Sequence, residues 1–161
     1  LWTVAIKKAG VAIMLIADLL KLNRRDTVTL LDTAKLSDAA EIMTRENIGA
    51  IVVVDRMGRL EGVLAEREFV AALTREGAAA LRMPIGNCMR RNVPTVAPSP
   101  PVLDAMAIAT KTRARHLPVI AEERVVGLLS VGDLLKSRLD EKIQENLVLM
   151  DVARWPMAAS A

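Results

Sequence analysis

The 161-residue chain has no tyrosine and only three aromatic residues, Trp2, Phe69 and Trp155. A surface that holds single-stranded nucleic acid by base stacking needs more than this. The net charge of +3, from 22 basic and 19 acidic residues, is mixed in sign and calls for no polyanion. Nucleic acid is therefore not an expected partner. A single cysteine, Cys88, excludes an internal disulfide and fits a reducing, cytoplasmic compartment. With no base assigned near it, Cys88 reads as a small buried residue. His116 is the single histidine, and Arg115 beside it disfavours a metal cation, so neither a metal site nor a Ser-His-Asp arrangement is expected. Gly127 and Gly132 stand too far from other glycines to make a phosphate-cradling loop. No apolar run approaches the roughly twenty residues that span a bilayer. The run Ala9 to Ala17 stops at Asp18; two lysines precede it, but no small-residue cleavage site follows, so a secretory signal is a poor match.

What the chain does have is 52% apolar residues and an internal repeat. "LSDAAEIMTRENIGAIVVVD" (36–55) lies over "VLDAMAIATKTRARHLPVIA" (102–121), with Asp38 on Asp104. Leu36, Ala39, Ala40, Ile42 and Met43 fall on Val102, Ala105, Met106, Ile108 and Ala109 at the spacing of one helical face. β-Branched runs follow, "AIVVV" and "LPVI", then polar turns, "DRMGR" and "AEER", then second strands, "LEGVLA" and "VVGLLS". Upstream, "RRDTVTL" (24–30) matches "RRNVPTV" (90–96). Each unit reads as a short strand, a helix, a two-strand hairpin and a closing helix. At about sixty residues, neither unit hides its sheet well alone. The expected layout is an N-terminal segment at 1–15, incomplete or foreign because the chain starts at Leu1, then a first repeat at 16–76. A linker at 77–84, a second repeat at 85–140 and a helical tail at 141–161 follow.

The two closing helices open differently. "GLLSVGDLL" places Ser130 three residues before Asp133, whereas "GVLAEREFV" has Ala65 and Glu68 there. Ser-x-x-Asp after a strand is first a capping box. The same helix start presents N–H donors to an anion, and an adjacent carboxylate can chelate a ribose diol.

The β-α-β-β-α order repeated twice, with "TVAPSPPVLDAM", "RHLPVI" and "GLLSVGDLL", resembles a tandem pair of cystathionine-β-synthase (CBS) domains, a Bateman module. The resemblance covers about residues 16–140 and implies an α/β (α+β) fold with two repeats packed sheet to sheet about a pseudo-two-fold axis. The tail resembles that of small stand-alone bacterial CBS-domain proteins. The resemblance also implies a non-enzymatic regulatory module that senses an adenosine nucleotide, AMP first, with ADP, ATP or NAD as other ligands. Carried over, Asp133 takes the ribose and Ser130 sits at the phosphate edge. Leu117 and Pro118 line an adenine slot, Thr95 and Val96 close it, and Arg115 and His116 face phosphates. The first repeat offers a weaker second site at Thr29, Ala50, Ile51, Arg67 and Glu68. It lacks the hydroxyl, and Gly49 and Ala50 stand where Arg115 and His116 would be. The alternative is a protein-interaction or dimerisation module with vestigial sites and an unidentified protein target. A homodimer is expected, through Ala39, Ala40, Met43, Ala105, Met106 and Ala109 and through Phe69, Val70, Leu73, Leu134 and Leu135. The stripe Leu139, Ile143, Leu147 and Met150 goes either to its own module or to a second chain. Arg24, Arg25, Arg90 and Arg91 read as solvated.

Overall fold

Both repeats switch from a helical apolar period to a strand period at the same relative positions, and the computed structural model follows those switches. It describes residues 13–23 and 26–154; expectations that fall on 1–12, Arg24, Arg25 and 155–161 lie outside them. The order is α1 (Ile16–Asn23), β1 (Thr29–Leu31), α2 (Leu36–Glu46), β2 (Ala50–Val54), β3 (Leu60–Ala65) and α3 (Glu66–Glu76). Two 3-10 turns follow, Gly77–Arg82 and Ile85–Asn87, then α4 (Val102–Thr112), β4 (His116–Ala121), β5 (Arg124–Ser130) and α5 (Val131–Arg154). The expected linker is thus largely 3-10 turn, and the expected tail, as far as Arg154, continues the closing helix of the second repeat without a break.

β1 runs parallel to β2, and β2 pairs antiparallel with β3. β4 pairs antiparallel with β5. Val53 faces Gly62 with a register shift at Val53/Val54, and Val119 faces Gly127 with a shift at Val119/Ile120. The repeat therefore extends to the bulge. The turns differ. Glu122 and Glu123 both have left-handed backbone, the two-residue geometry that matches strand twist, which explains the shorter second hairpin.

The expected second lead strand is reduced to one parallel bridge, Val96 with Val119. In the first repeat the Val52 amide donates to the Val28 carbonyl. Pro118 stands at the place of Val52 and has no N–H to give, so that rung of the ladder cannot form. Val96 still donates to Pro118 O at 3.1 Å and accepts from Ile120 N at 2.9 Å.

Each sheet has its own core, and each core is completed by a segment from the other side of the chain. Leu36, Ala39, Ile51, Val53 and Leu64 pack with Ala80, Ile85 and Met89, which precede the second repeat. Val102, Ala105, Leu117, Val119 and Leu129 pack with Ile16 and Leu19 of α1. Backbone bonds fix the exchange: Leu36 N to Met83 O and Ile85 N to Ala34 O on one side, Val102 N to Met14 O and Ile16 N to Pro100 O on the other. Fully burying a side chain such as Ile16 or Ile85 contributes about 1.5–3 kcal/mol. The sequence boundary at residue 85 thus marks continuity along the chain, while Ile85 and Met89 serve the first core. Between the hairpins, Val125 N donates to Gly58 O at 3.0 Å.

This packing corrects the expected dimer faces. Ala39, Met43, Ala105 and Ala109 are buried in their own cores, as is Leu134, so these residues offer no surface to a second chain. Cys88 is half-buried, with burial pushing its thiol pKa up.

The two sheet glycines separate by what lies over them. A Cβ on Gly62 would meet the Arg90 carbonyl oxygen at 2.7 Å, a backbone atom held by the Val63–Arg90 bridge. A Cβ on Gly127 would meet Leu20 Cδ2 at 2.6 Å, the end of a side chain that can rotate. Gly62→Ala is expected to cost about 2–3 kcal/mol and Gly127→Ala about 1 kcal/mol, measured by urea unfolding. Equal losses would mean that the exchanged segments yield equally.

Candidate functional site

α5 starts directly where β5 ends, and three hydrogen bonds organise that junction. Ser130 N donates to Asp133 Oδ2 at 2.8 Å, Ser130 Oγ donates to the same oxygen at 2.6 Å, and Asp133 N donates to Ser130 Oγ at 3.1 Å. This is a complete capping box. Both bonds to the carboxylate end on Oδ2, and among the described residues Oδ1 accepts none. Ser130 and Asp133 are half-buried.

His116 lies directly across from Ser130 in the β4–β5 ladder, and Val131 N donates to Arg115 O at 3.0 Å. Arg115, His116, Ser130 and Asp133 therefore belong to one end of the second sheet. Arg115 is exposed and His116 half-buried. Leu117 and Pro118 are buried, and the Pro118 carbonyl is taken by Val96 N, so these two with Val96 form a floor and not an open edge. Thr95, beside that floor, is exposed.

The first repeat gives the same frame with fewer groups. Glu66 N donates to Gly49 O at 3.2 Å, the counterpart of the Val131–Arg115 bond. Glu68 Oε2 accepts from Ala65 N at 3.3 Å, but Ala65 has no hydroxyl to return a bond. Ala50 and Ile51 are buried, Thr29 and Arg67 exposed. Arg91 is exposed and bonds Glu61 Oε2 and Gly86 O, each at 3.2 Å.

One group was missed by sequence reasoning. Burial holds the His116 imidazole below its ordinary pKa; Glu66 and Glu68 of the first repeat oppose that shift, Arg115 adds to it, and Asp133 opposes it. The charges of Glu66 and Glu68 thus reach a residue of the other repeat. The only sequence signal for Glu66 was its place as the first residue of α3.

Two cavities are present, and the first borders the site through Arg115. A groove of about 240 Å³ between α4 and α5 is lined by Met106, Ala109, Val131, Leu134 and Leu135, with Arg113 and Arg115. The other, of about 190 Å³, lies by Asp32, Asp55 and Glu61. In the latter, Arg59 pairs with Asp55 at 2.7 Å and Arg91 with Glu61 at 3.2 Å, so charge is balanced within the chain. Among the described residues no group of acidic, histidine or cysteine side chains is arranged to hold a metal.

The junctions predict opposite stability changes. Ser130→Ala removes one cap acceptor and should cost about 1 kcal/mol. Ala65→Ser completes the box that Glu68 has half made and should gain about 0.5–1 kcal/mol. Thermal unfolding of the two variants beside wild type checks both signs.

The CBS domain family profile matches residues 16–75 and 85–140. A crystal structure of a CBS-domain protein from Agrobacterium tumefaciens is 34% identical and superposes with a TM-score of 0.73 over 83% of this chain and 99% of that one. A CBS domain pair in complex with 5′-methylthioadenosine and S-adenosyl-L-methionine is 28% identical, TM-score 0.68, over 79% and 95%. A CBS domain protein from Pyrobaculum aerophilum complexed with AMP is 25% identical, TM-score 0.67, over 74% and 89%. Among curated proteins, a mitochondrial CBS domain-containing protein of Arabidopsis thaliana is 33% identical over 67% of this chain, and the chain spans 54% of its length. Two family matches, the repeated strand register and the exchanged cores together make this chain a member of the CBS domain family, with its two repeats arranged as a CBS pair.

Proposed function

We propose that the chain is a regulatory module that binds an adenosine-type ligand at the start of α5, without turnover, and that ligand occupancy biases how the repeats or partner chains sit. The observation that carries this reading is the Ser130–Asp133 junction, with Arg115 and His116 alongside and Thr95 at its edge. AMP, 5′-methylthioadenosine and S-adenosyl-L-methionine, the ligands of the related structures, share adenosine and not a phosphate. A carboxylate that recognises a ribose diol suits all three, which assigns Asp133 to the ribose through its Oδ1. Ser130 and Arg115 then serve a phosphate where one is present, and AMP is the first ligand to test, before ADP, ATP or NAD. The first repeat, with Thr29, Ala50, Ile51, Arg67 and Glu68, keeps the carboxylate alone and is the weaker site. A ligand biases conformation only by preferring one arrangement over another.

The module is also proposed to work as a homodimer. α3 leaves Val70 64% exposed with Leu73 beside it. On α5, Leu135, Leu139, Ile143, Leu147 and Met150 are all exposed, Leu139 and Met150 at 61% each. The stripe does not fold back on the described part of its own module, which supports a second chain as its cover. Closed two-fold pairing is the common way to bury a self-complementary patch. A cytoplasmic setting is part of the same proposal; among the described residues no helix is long and apolar enough to cross a membrane.

A thermal-shift panel of AMP, ADP, ATP, NAD and S-adenosyl-L-methionine tests the ligand class. At 100 times its dissociation constant a bound ligand stabilises the fold by about 2.7 kcal/mol. Asp133→Asn is expected to lose at least about tenfold in AMP affinity by calorimetry while keeping the fold. Equal affinity would remove the aspartate from the site, and no shift with any ligand would favour a module whose sites are vestigial.

Light scattering is expected to give twice the 17.5 kDa chain mass at micromolar concentration. Leu139→Glu with Ile143→Glu should halve it, since each buried carboxylate would lack a partner. A wild-type monomer would assign the stripe to another protein.

A further inference from the structure

The groove between α4 and α5 has a counterpart place on the first repeat, and the two differ in shape. Their frames are the same. Arg113 and Asn47 end their helices with left-handed backbone, and the bond from Val131 N to Arg115 O matches that from Glu66 N to Gly49 O. In the second repeat Ala109, Ala114 and Leu134 line the opening. In the first repeat the same places hold Met43, Ile48 and Phe69, which are larger and pack on the first core. These side chains take up the space that the second repeat leaves open. Val70, the next residue of α3, then stands 64% exposed, more than any other large apolar side chain described.

Charge divides the repeats in the same way. Arg113 and Arg115 line the groove, and among the described residues neither forms an ion pair. Asn47 and Gly49 stand at their places in the first repeat, and Glu66 stands at the place of Val131. Glu66 is exposed and has no ion pair among the described residues. Its carboxylate lies over Gly49, with Oε1 3.8 Å from where a Cβ on that glycine would be. Arg67, the cation beside it, takes the place of Gly132, which does not line the groove. One repeat thus offers a hollow with two free cations, and the other a filled surface with a free carboxylate and an exposed valine.

Two copies related by a two-fold axis can bring these faces together in two ways. Second repeat on second repeat sets hollow against hollow and the guanidinium groups of both copies against one another, and like charges set opposite cost affinity. Second repeat on first sets each hollow against the filled face of the other copy, and the same contact occurs twice, as a closed two-fold pair requires.

We propose that the groove between α4 and α5 receives the start of α3 from a second copy of this chain. The dimer is then head-to-tail, with Glu66 of each copy paired to Arg113 and Arg115 of the other and Val70 seated in the opening. This rests on the homodimer reading and adds which face meets which.

Two charge-reversed chains test it by sedimentation equilibrium without nucleotide. Arg113→Glu with Arg115→Glu sets acid against Glu66 of the other copy, and Glu66→Arg sets base against both arginines. Each chain alone is expected to raise the dimer dissociation constant at least about tenfold. An equimolar mixture is expected to dimerise as wild type does, because both contacts of the mixed dimer are complementary. Cross-linking reads the direction in a chain carrying Cys88→Ser. Val70→Cys and Leu135→Cys are expected to form an intermolecular disulfide when the two chains are mixed and not when either is alone. A disulfide between two Leu135→Cys chains overturns the head-to-tail pairing and leaves the homodimer standing. So do charge-reversed chains that dimerise as tightly as wild type and gain nothing on mixing. A wild-type monomer overturns both.

Discussion

The structure depends on an exchange of apolar segments. Neither sheet, one of three strands and one of two, can cover itself, and each is closed by a stretch of chain from outside its own repeat core: Ile16 and Leu19 over the second sheet, Ile85 and Met89 over the first. Gly62 and Gly127 are where this contact is tightest, because a side chain at either place would occupy the space of Met89 and Arg90 or of Leu20. The exchange turns two units of marginal size into one module, in the way tandem repeats gain stability from their interfaces. It also places the ends of β4 and β5 within electrostatic reach of the start of α3.

That placement makes the site asymmetric in a functional way. The two closing helices begin in the same frame, with Val131 bonded to Arg115 and Glu66 bonded to Gly49. Only the β5–α5 junction carries the cap hydroxyl, and only β4 carries the histidine. The Ser130–Asp133 box is closed on itself through Oδ2, so the proposed ligand would find the other carboxylate oxygen without undoing the cap. Capping and binding are compatible here, and the same pair of residues can do both.

α5 extends the argument beyond the module. Its first turn holds the candidate site, its next turns bury Leu134 and Ser137, and its last turns carry exposed apolar side chains. Under the proposed function, a helix that begins at the candidate site and ends at an exposed apolar stripe would give a direct mechanical link between the two. Intrahelical pairs, Arg138 with Glu141 and Lys142 with Glu145, satisfy charges beside the stripe and leave the apolar face as its distinguishing feature.

The order of elements, the repeat and the helix start at Ser130 were legible because they are written in local periods: 3.6 for Leu36, Ala39 and Met43, strand runs for "AIVVV", and Ser-x-x-Asp for the cap. The alignment of the two repeats even located Pro118 opposite Val52. Its consequence, the loss of a lead-strand hydrogen bond, depended on knowing that Val52 donates to Val28. The direction of each apolar face was not legible. Ala39 and Ala105 have the small side chains of a helix contact, and only the fold shows that contact to be with their own sheets. Likewise "IGNCM" read as the start of the second repeat, yet Ile85 and Met89 fill the first core. Sequence pattern records that a face must be buried, since that is a property of the residue and its period. Which surface buries it is decided by the path of the whole chain, and so is the reach of the Glu66 charge to His116, fifty residues further on in the other repeat.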